Sequence, residues 1–323
     1  MNPSTLVISH PDCTKHETGP NHPESAARLA ALLSSVHAAI PELEGRVAYR
    51  DGRHAGEADL GLVHPHSHIA RVRAFAQQAA TAGGLAHIDP DTVVSPASYE
   101  AALGAAGSVL TAVDALTDGS ARNAFCIVRP PGHHATADRA MGFCLFNNVA
   151  IGVRYAQEKG LQRALIIDWD VHHGNGTEAI FYENADVYFI SMHQSPHYPG
   201  TGHSAHRGHG PGQATNLNLP VPPGLPATHY KNELQRGLAQ ALTTFSPDVI
   251  FISSGFDSAY GDPLAGLTLA PEDFHYLTEH VLEIADVHCE GRVISVLEGG
   301  YDTELLVDCG LAHIRALARL PVC

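Results

Sequence analysis

Basic residues are scarce in this 323-residue chain: 19 Lys and Arg stand against 34 Asp and Glu, a formal net charge of −15. A surface that neutralises phosphate needs clustered Lys and Arg, so this balance argues against direct nucleic-acid binding and suits a cationic partner better. Paired cysteines are also missing. Cys13, Cys126, Cys144, Cys289, Cys309 and Cys323 are scattered with no C-x-x-C. That excludes a cysteine zinc site and a disulfide framework, and reduced thiols in a cytoplasmic protein are expected. No apolar run approaches the roughly 18 residues that a membrane helix needs. Met1-Asn2-Pro3-Ser4-Thr5 has no basic stretch followed by an apolar run, so no secretory signal is expected. There is no Pro/Gly/Ser-rich linker, charge run or internal repeat to divide the chain. A single domain over residues 1–323 is expected, at the upper end of what one core serves.

Short apolar runs are plentiful. Leu6–Ser9, Phe125–Val128, Ala164–Asp168, Val187–Ser191, Val249–Ser253 and Val293–Leu297 are rich in Val, Ile, Leu or Phe. This is how parallel strands covered on both faces read. Helical periodicity lies between them, in Glu24–His37 (with Pro23 suited to a first turn), Ser98–Leu116, Asn147–Glu158, Thr228–Phe245, Pro271–Ala285 and Thr303–Leu317. The alternation predicts an α/β fold with a mainly parallel sheet and helices on both faces. Ligands of such sheets bind beyond the carboxyl ends of the strands.

Histidine is over-represented, with 23 residues, and polar clusters follow four predicted strands. They are Arg129-Pro130-Pro131-Gly132-His133-His134, Asp168 through Gly176, Ser254-Gly255-Phe256-Asp257, and Glu298-Gly299-Gly300-Tyr301. Asp170 and His172 are two apart on an extended stretch, so both side chains reach the same face. Asp257, at another strand end, supplies a third donor. Two carboxylates and one imidazole make a three-ligand site with an open position, as catalytic zinc has. Iron(II) or cobalt(II) accepts the same donors.

Activated water needs a base and a leaving amine needs an acid, and histidine serves both near neutral pH. His133 and His134, on a stiff Pro-Pro-Gly loop, are the candidates. Reading them as further metal ligands would leave no base. Asp168 and Asn175 are the candidates for fixing a histidine tautomer. Tyr301, after two glycines that permit a sharp turn, can stabilise a developing oxyanion through its phenol.

The motifs His22-Pro23-Glu24, RPPGHH (129–134), GFCLFNN (142–148), DWDVHHGNGT (168–177), PGTG (199–202), SSGFDS (253–258), GDPL (261–264) and LEGGYD (297–302) occur in order along nearly the whole chain. In this the chain resembles the histone deacetylase superfamily, which includes class II-like bacterial deacetylases and acetylpolyamine amidohydrolases. The resemblance implies an arginase-like α/β fold around an eight-stranded, mostly parallel sheet. It assigns Zn²⁺ to Asp170, His172 and Asp257, and the general base and acid to His134. His133 becomes an electrostatic helper paired with Asp168, Asn175 orients His134, and Tyr301 polarises the scissile carbonyl. Many relatives carry Asp where this chain has Asn175, and an amide holds less charge, so a less basic His134 is expected. The family also implies structural K⁺. One ion would lie at Asp168 with groups of Asp170, His172, Ser191 and Met192, and another near Phe181, Asn184 and Val187.

The same resemblance implies a substrate tube walled by Gly142, Phe143 and Tyr198, whose rings suit the methylenes of an acyl-lysine. Leu264 stands where a polyamine-specific relative carries Glu, which favours acyl-lysine over acetylpolyamine. Asp89 is the candidate for binding substrate backbone at the rim, with Asp91 as rival. The expected function is zinc-dependent removal of acetyl or other acyl groups from lysine in proteins or peptides. The alternatives are an acetylpolyamine amidohydrolase, a hydrolase of another small amide or ester, a silent acyl-lysine reader, and a dimanganese urea hydrolase. The intact base and phenol argue against the reader, and too few carboxylates argue against the last. Homo-oligomers occur among relatives, and the sequence shows no interface signature.

Overall fold

The structure, a computed structural model, describes residues 4–322. Met1–Pro3 and Cys323, on which two of the expectations above fall, lie outside the described residues.

In chain order the main elements are β1 (Thr5–Ser9), α1 (Ala26–Ala39), β2 (Val47–Asp51), α2 (Glu57–Leu60), α3 (His66–Ala82), β3 (Ala86–His87), β4 (Val93–Val94), α4 (Ser98–Thr117), β5 (Asn123–Cys126), α5 (Asn148–Glu158), β6 (Ala164–Asp168), α6 (Asn175–Phe181), β7 (Val187–Gln194), β8 (Asn216–Val221), α7 (Ala227–Leu242), β9 (Val249–Ser254), α8 (Pro271–His288), β10 (Val293–Leu297) and α9 (Thr303–Leu317). Eight strands form one sheet in the order β2-β1-β5-β10-β9-β6-β7-β8. Every pairing in it is parallel. β3 and β4 make a separate antiparallel pair.

The inner strands bury every residue, as their unbroken apolar runs predict. The edge strands β2 and β8 were not anticipated. Val47-Ala48-Tyr49-Arg50-Asp51 and Asn216-Leu217-Asn218-Leu219-Pro220-Val221 are half polar, because an edge faces water on one side. β5 begins two residues earlier than predicted. Its last donor is the Ile127 N–H, bonded to the Ile8 carbonyl, and Pro130 then carries the chain off the sheet. Helix α1 also starts later than predicted, after Ser25, leaving Pro23 outside the first turn. Glu24 is drawn instead into a buried ion-pair network with Arg28 and Arg129. Helices α1, α9, α8 and α7 pack in series on the sheet, and α4 and α5 pack together as a second set. All five cysteines among the described residues are free and buried.

The strand order explains the convergence expected of the four polar clusters. They follow β5, β10, β9 and β6, which are four consecutive strands in the middle of the sheet.

Candidate active site

Asp170, His172 and Asp257 are buried and present donor atoms within 4.8 Å of one another. The His172 Nδ1 lies 3.0 Å from Asp170 Oδ1 and 3.3 Å from Asp257 Oδ2. Backbone amides orient the carboxylates: Val171 N–H donates to Asp257 Oδ1 and Gly299 N–H to Asp170 Oδ2, both at 2.8 Å. Asp257 Oδ2 is buried without a hydrogen-bond partner. Burial, with Asp170 second, pushes the Asp257 carboxyl up to about 7. Burial pulls His172 down, but Asp170 and Asp257 outweigh it and raise the imidazole to about 10. A proton is therefore retained where two carboxylates demand a cation. An orphaned carboxylate oxygen, an N/O donor set and a cation-seeking centre fit a divalent metal ion. Residue 299 has to be glycine: a Cβ there would meet the Asp257 carboxylate and lie 2.6 Å from Asp170 Oδ2.

His133 and His134 lie beside this centre, with ring centroids 4.0 Å apart. Asp168 Oδ2 accepts from His133 Nδ1 at 3.0 Å. Burial lowers the His133 pKa, but Asp168, Asp170 and Glu298 overcome it and hold the ring well above the ordinary histidine value. His134 goes the other way. Burial, then the neighbouring His133 and His172, holds it well below the ordinary value, so it is neutral. Its Nδ1 is 2.7 Å from Asn175 Oδ1. An amide oxygen only accepts, so Nδ1 carries the proton and Nε2 is left as a basic lone pair. Two adjacent histidines are thus driven into opposite charge states, which is how acid and base assignments are told apart.

Tyr301 lies across the same cavity. Burial, then Asp257 and Asp170, raises its phenol well above the usual value and keeps the donor proton on it. Arg28 fixes the turn that carries it. The guanidinium donates to the Gly300 and Glu298 carbonyls at 2.5 and 2.9 Å and sits 4.8 Å over the Tyr301 ring. Arg28 is held in turn by Glu24, which also takes both ends of the Arg129 guanidinium. Asp262 holds the turn from outside, accepting from Tyr301 N–H at 2.7 Å and, through its other oxygen, from Leu264 N–H at 2.9 Å.

A cavity of about 220 Å³ leads to this group, lined by Asp91, His134, Gly142, Phe143, His172, His197, Tyr198, Leu264 and Tyr301. Gly142 and Phe143 both have positive φ, 57° and 68°. A left-handed phenylalanine costs on the order of 1–3 kcal/mol and is kept where the surroundings require it. A Cβ at 142 would run into the His134 ring, so the wall passes the histidine at glycine distance. Tyr198 is 37% exposed, at the mouth.

Of the sequence-predicted residues, the structure brings Asp170, His172, Asp257, His133, His134, Asp168, Asn175, Tyr301, Gly142, Phe143, Tyr198 and Leu264 to this one place. Asp89 is different: it turns back on its own loop, Oδ1 accepting from Asp91 and Thr92 N–H at 3.1 and 2.8 Å. Its rival Asp91 lines the cavity. Ser191, expected at a K⁺ site, has its hydroxyl bonded to His193 at 3.0 Å. Sequence reasoning missed His197, which stacks on His172 at 4.7 Å and bonds the Leu264 carbonyl at 2.8 Å. It also gave no role to Arg28 or Glu298. The signal was there for Glu298, a carboxylate directly after the mostly apolar, fully buried strand Val293–Leu297.

Residues 22–317 match the histone deacetylase domain. A histone deacetylase-like amidohydrolase of Pseudomonas aeruginosa is 39% identical over 298 residues, 92% of this chain and 76% of that protein. A probable deacetylase of Archaeoglobus fulgidus is 36% identical over 301 residues, 93% of this chain and 82% of the relative. The crystal structure of the HDA15 HD domain superposes with a TM-score of 0.92 at 33% identity, covering 100% of this chain and 90% of the other. The agreement in sequence spans the strand-end clusters that build the cavity and its buried centre, and on it the chain belongs to the histone deacetylase family.

Proposed function

We propose that the chain is a zinc-dependent amidohydrolase that removes acetyl or related acyl groups from the ε-amine of lysine in proteins or peptides. Family membership carries the hydrolase and deacetylase/amidohydrolase class. The observation that carries the rest is the buried Asp170–His172–Asp257 centre at the foot of a cavity shared by a neutral histidine and a protonated phenol. Asp170, His172 and Asp257 would hold a divalent ion, which when bound would supply Lewis acidity to a carbonyl and to water. His134 Nε2 takes the proton from the attacking water and returns it to the departing amine nitrogen. His133, paired with Asp168, contributes positive charge, and Tyr301 donates its phenol proton to the developing oxyanion. Phe143 and Tyr198 flank the methylene stem, and Asp91 at the cavity edge accepts from substrate N–H groups, the role first given to Asp89. Iron(II) suits the same donors. K⁺ at Asp168 and near Phe181 belongs to this proposal, as do one catalytic domain over 1–323 and a cytoplasmic location. No helix among the described residues is long and apolar enough to cross a membrane.

A second reading, hydrolysis of an acetylpolyamine or another small acyl amide, is favoured by Asp91 in the cavity lining and by the net charge of −15, both suited to a cationic amine. Leu264 opposes it by offering no partner for a second ammonium. Turnover of a fluorogenic acetyl-lysine peptide beside acetylputrescine, with and without a zinc chelator, separates the two. Chelator-sensitive peptide cleavage is expected. Turnover of acetylputrescine alone would move the assignment to polyamines, and chelator-resistant turnover would overturn the metal mechanism.

A further inference from the structure

Glu298 is a carboxylate, 1% exposed, at the end of β10 and directly before Gly299-Gly300-Tyr301. In the chemistry proposed above it touches no reacting atom and enters only as the third of the carboxylates that raise the His133 imidazole. Burial, with His133 opposing, raises its carboxyl to about 7, and its Oε1 has no hydrogen-bond partner. A group that expensive to bury requires a compensating contact, and the compensation is found at Oε2. That single oxygen accepts the Gly132 N–H at 2.7 Å and the His133 N–H at 3.1 Å. Pro130 and Pro131 have no N–H to give, so these two amides are the first donors available in the loop that delivers the histidine pair. The main chain of Glu298 is fixed as well: its N–H donates to the Ser254 carbonyl at 3.2 Å, and its carbonyl takes the Arg28 guanidinium at 2.9 Å.

One residue therefore grips both sides of the site. Its side chain holds the backbone of His133, next to the base His134, and its backbone launches the turn that carries Tyr301. We propose that Glu298 is a positioning residue that sets the distance between the base and the oxyanion donor by accepting two loop amides on one carboxylate oxygen. The proposal rests on the roles given above to His134 and Tyr301. Its physical content is reach rather than charge. Glutamine offers an oxygen of the same reach and no charge. Aspartate keeps the charge but falls one methylene short.

The experiment compares Glu298→Ala, Glu298→Gln and Glu298→Asp with the wild-type metal-loaded enzyme on an acetyl-lysine peptide, with amide hydrogen exchange at Gly132 and His133 followed on the same proteins. In E298A and E298D, kcat is expected to fall about 100-fold, the scale of an ångström of misplacement, with KM within about twofold. Exchange at the two amides accelerates in both. E298Q restores most of kcat and the slow exchange. The proposal is overturned by a kcat for E298A within about threefold of wild type, by E298Q as impaired as E298A, or by E298D as active as wild type. Should E298A not fold, the Gln and Asp variants carry the same decision. Wild-type protein that cleaves no acyl amide defeats the functional reading instead, and the exchange rates then still decide whether Glu298 holds the loop.

Discussion

Two clusters of histidine and carboxylate in this molecule offer the same three-donor arithmetic to a metal. Asp170, His172 and Asp257 lie buried at the ends of β6 and β9, whereas His10, Asp12 and His54 lie near the surface beside β1 and β2. In the second cluster the demands are already met. Asp12 Oδ1 is 2.6 Å from the Lys15 ammonium, and that bond, opposed by burial and helped by His54, lowers the Asp12 pKa. His10 Nδ1 accepts the Asp12 N–H at 3.1 Å, and His54 Nε2 is 2.8 Å from Asp12 Oδ2. In the buried cluster two carboxylates share the His172 imidazole, with His133 Nε2 further off at 3.8 Å from Asp170, no Lys or Arg among the described residues pairs with them, and an oxygen of Asp257 is left unbonded. Proximity of donors is common to both; an unmet need for positive charge belongs to one. The difference teaches that a metal site is recognised by what its neighbours fail to satisfy.

Metal content tests this contrast most directly. Asp257→Ala is expected to drop zinc from about one per chain to near none and to reduce turnover by at least about 10³-fold. Asp12→Ala should leave stoichiometry and activity unchanged. Elemental analysis after dialysis that gave the reverse pattern would break the comparison. Next in size is the base. His134→Ala should lower kcat by about 10²–10⁴-fold while zinc stays bound, and a larger loss in His133→Ala would exchange the roles of the pair. Tyr301→Phe should cost about 10²–10³ in kcat with metal and hydroxamate binding retained; full activity would remove the phenol from the chemistry.

The smallest effect is on stability against pH. The buried His16 and His64 have folded pKa values of about 4, and His193 and His313 of about 3, all lowered by burial from 6.5. The unfolded chain binds more protons between about pH 6.5 and 3–4, so stability falls as pH drops through that window. These four histidines therefore contribute a loss of stability from pH 7 to pH 5, opposed by the Glu298 carboxyl and the His133 imidazole, whose raised pKa values hold extra protons in the folded state. Melting temperature should decline less over that range in His313→Gln than in the wild type, and an identical decline would take that histidine out of the account.

Much of this was legible before any coordinates. The inner strands announce themselves because both their faces are covered, so Ala164–Asp168 and Val293–Leu297 emerge with the bounds expected of them. The edge strands are silent for the opposite reason: half of β8 is Asn and Pro. Helix α3 hid because its exposed face carries Arg71, Arg73, Gln77 and Gln78, leaving a weak apolar stripe. At the site, residue types and strand ends sufficed to gather Asp170, His172 and Asp257. They did not distinguish Asp89 from Asp91, because two carboxylates two residues apart differ only in which one the turn consumes. Arg28 escaped because its work is done on backbone carbonyls, which no residue-type pattern announces, whereas Glu298 was marked only by being a carboxylate directly after an apolar strand.

Asp262 has a consequence for how such an enzyme can diversify. Its two oxygens tie the backbone of the wall residue Leu264 to the backbone of Tyr301. The side chain at 264 is free of that tie. A lineage can exchange Leu264 for a smaller, larger or charged residue and explore new acyl amines while the phenol keeps its place. Change at 262 cannot be explored so cheaply, since it disturbs selectivity and rate together. The loop thus separates an evolvable position from a constrained one only two residues away.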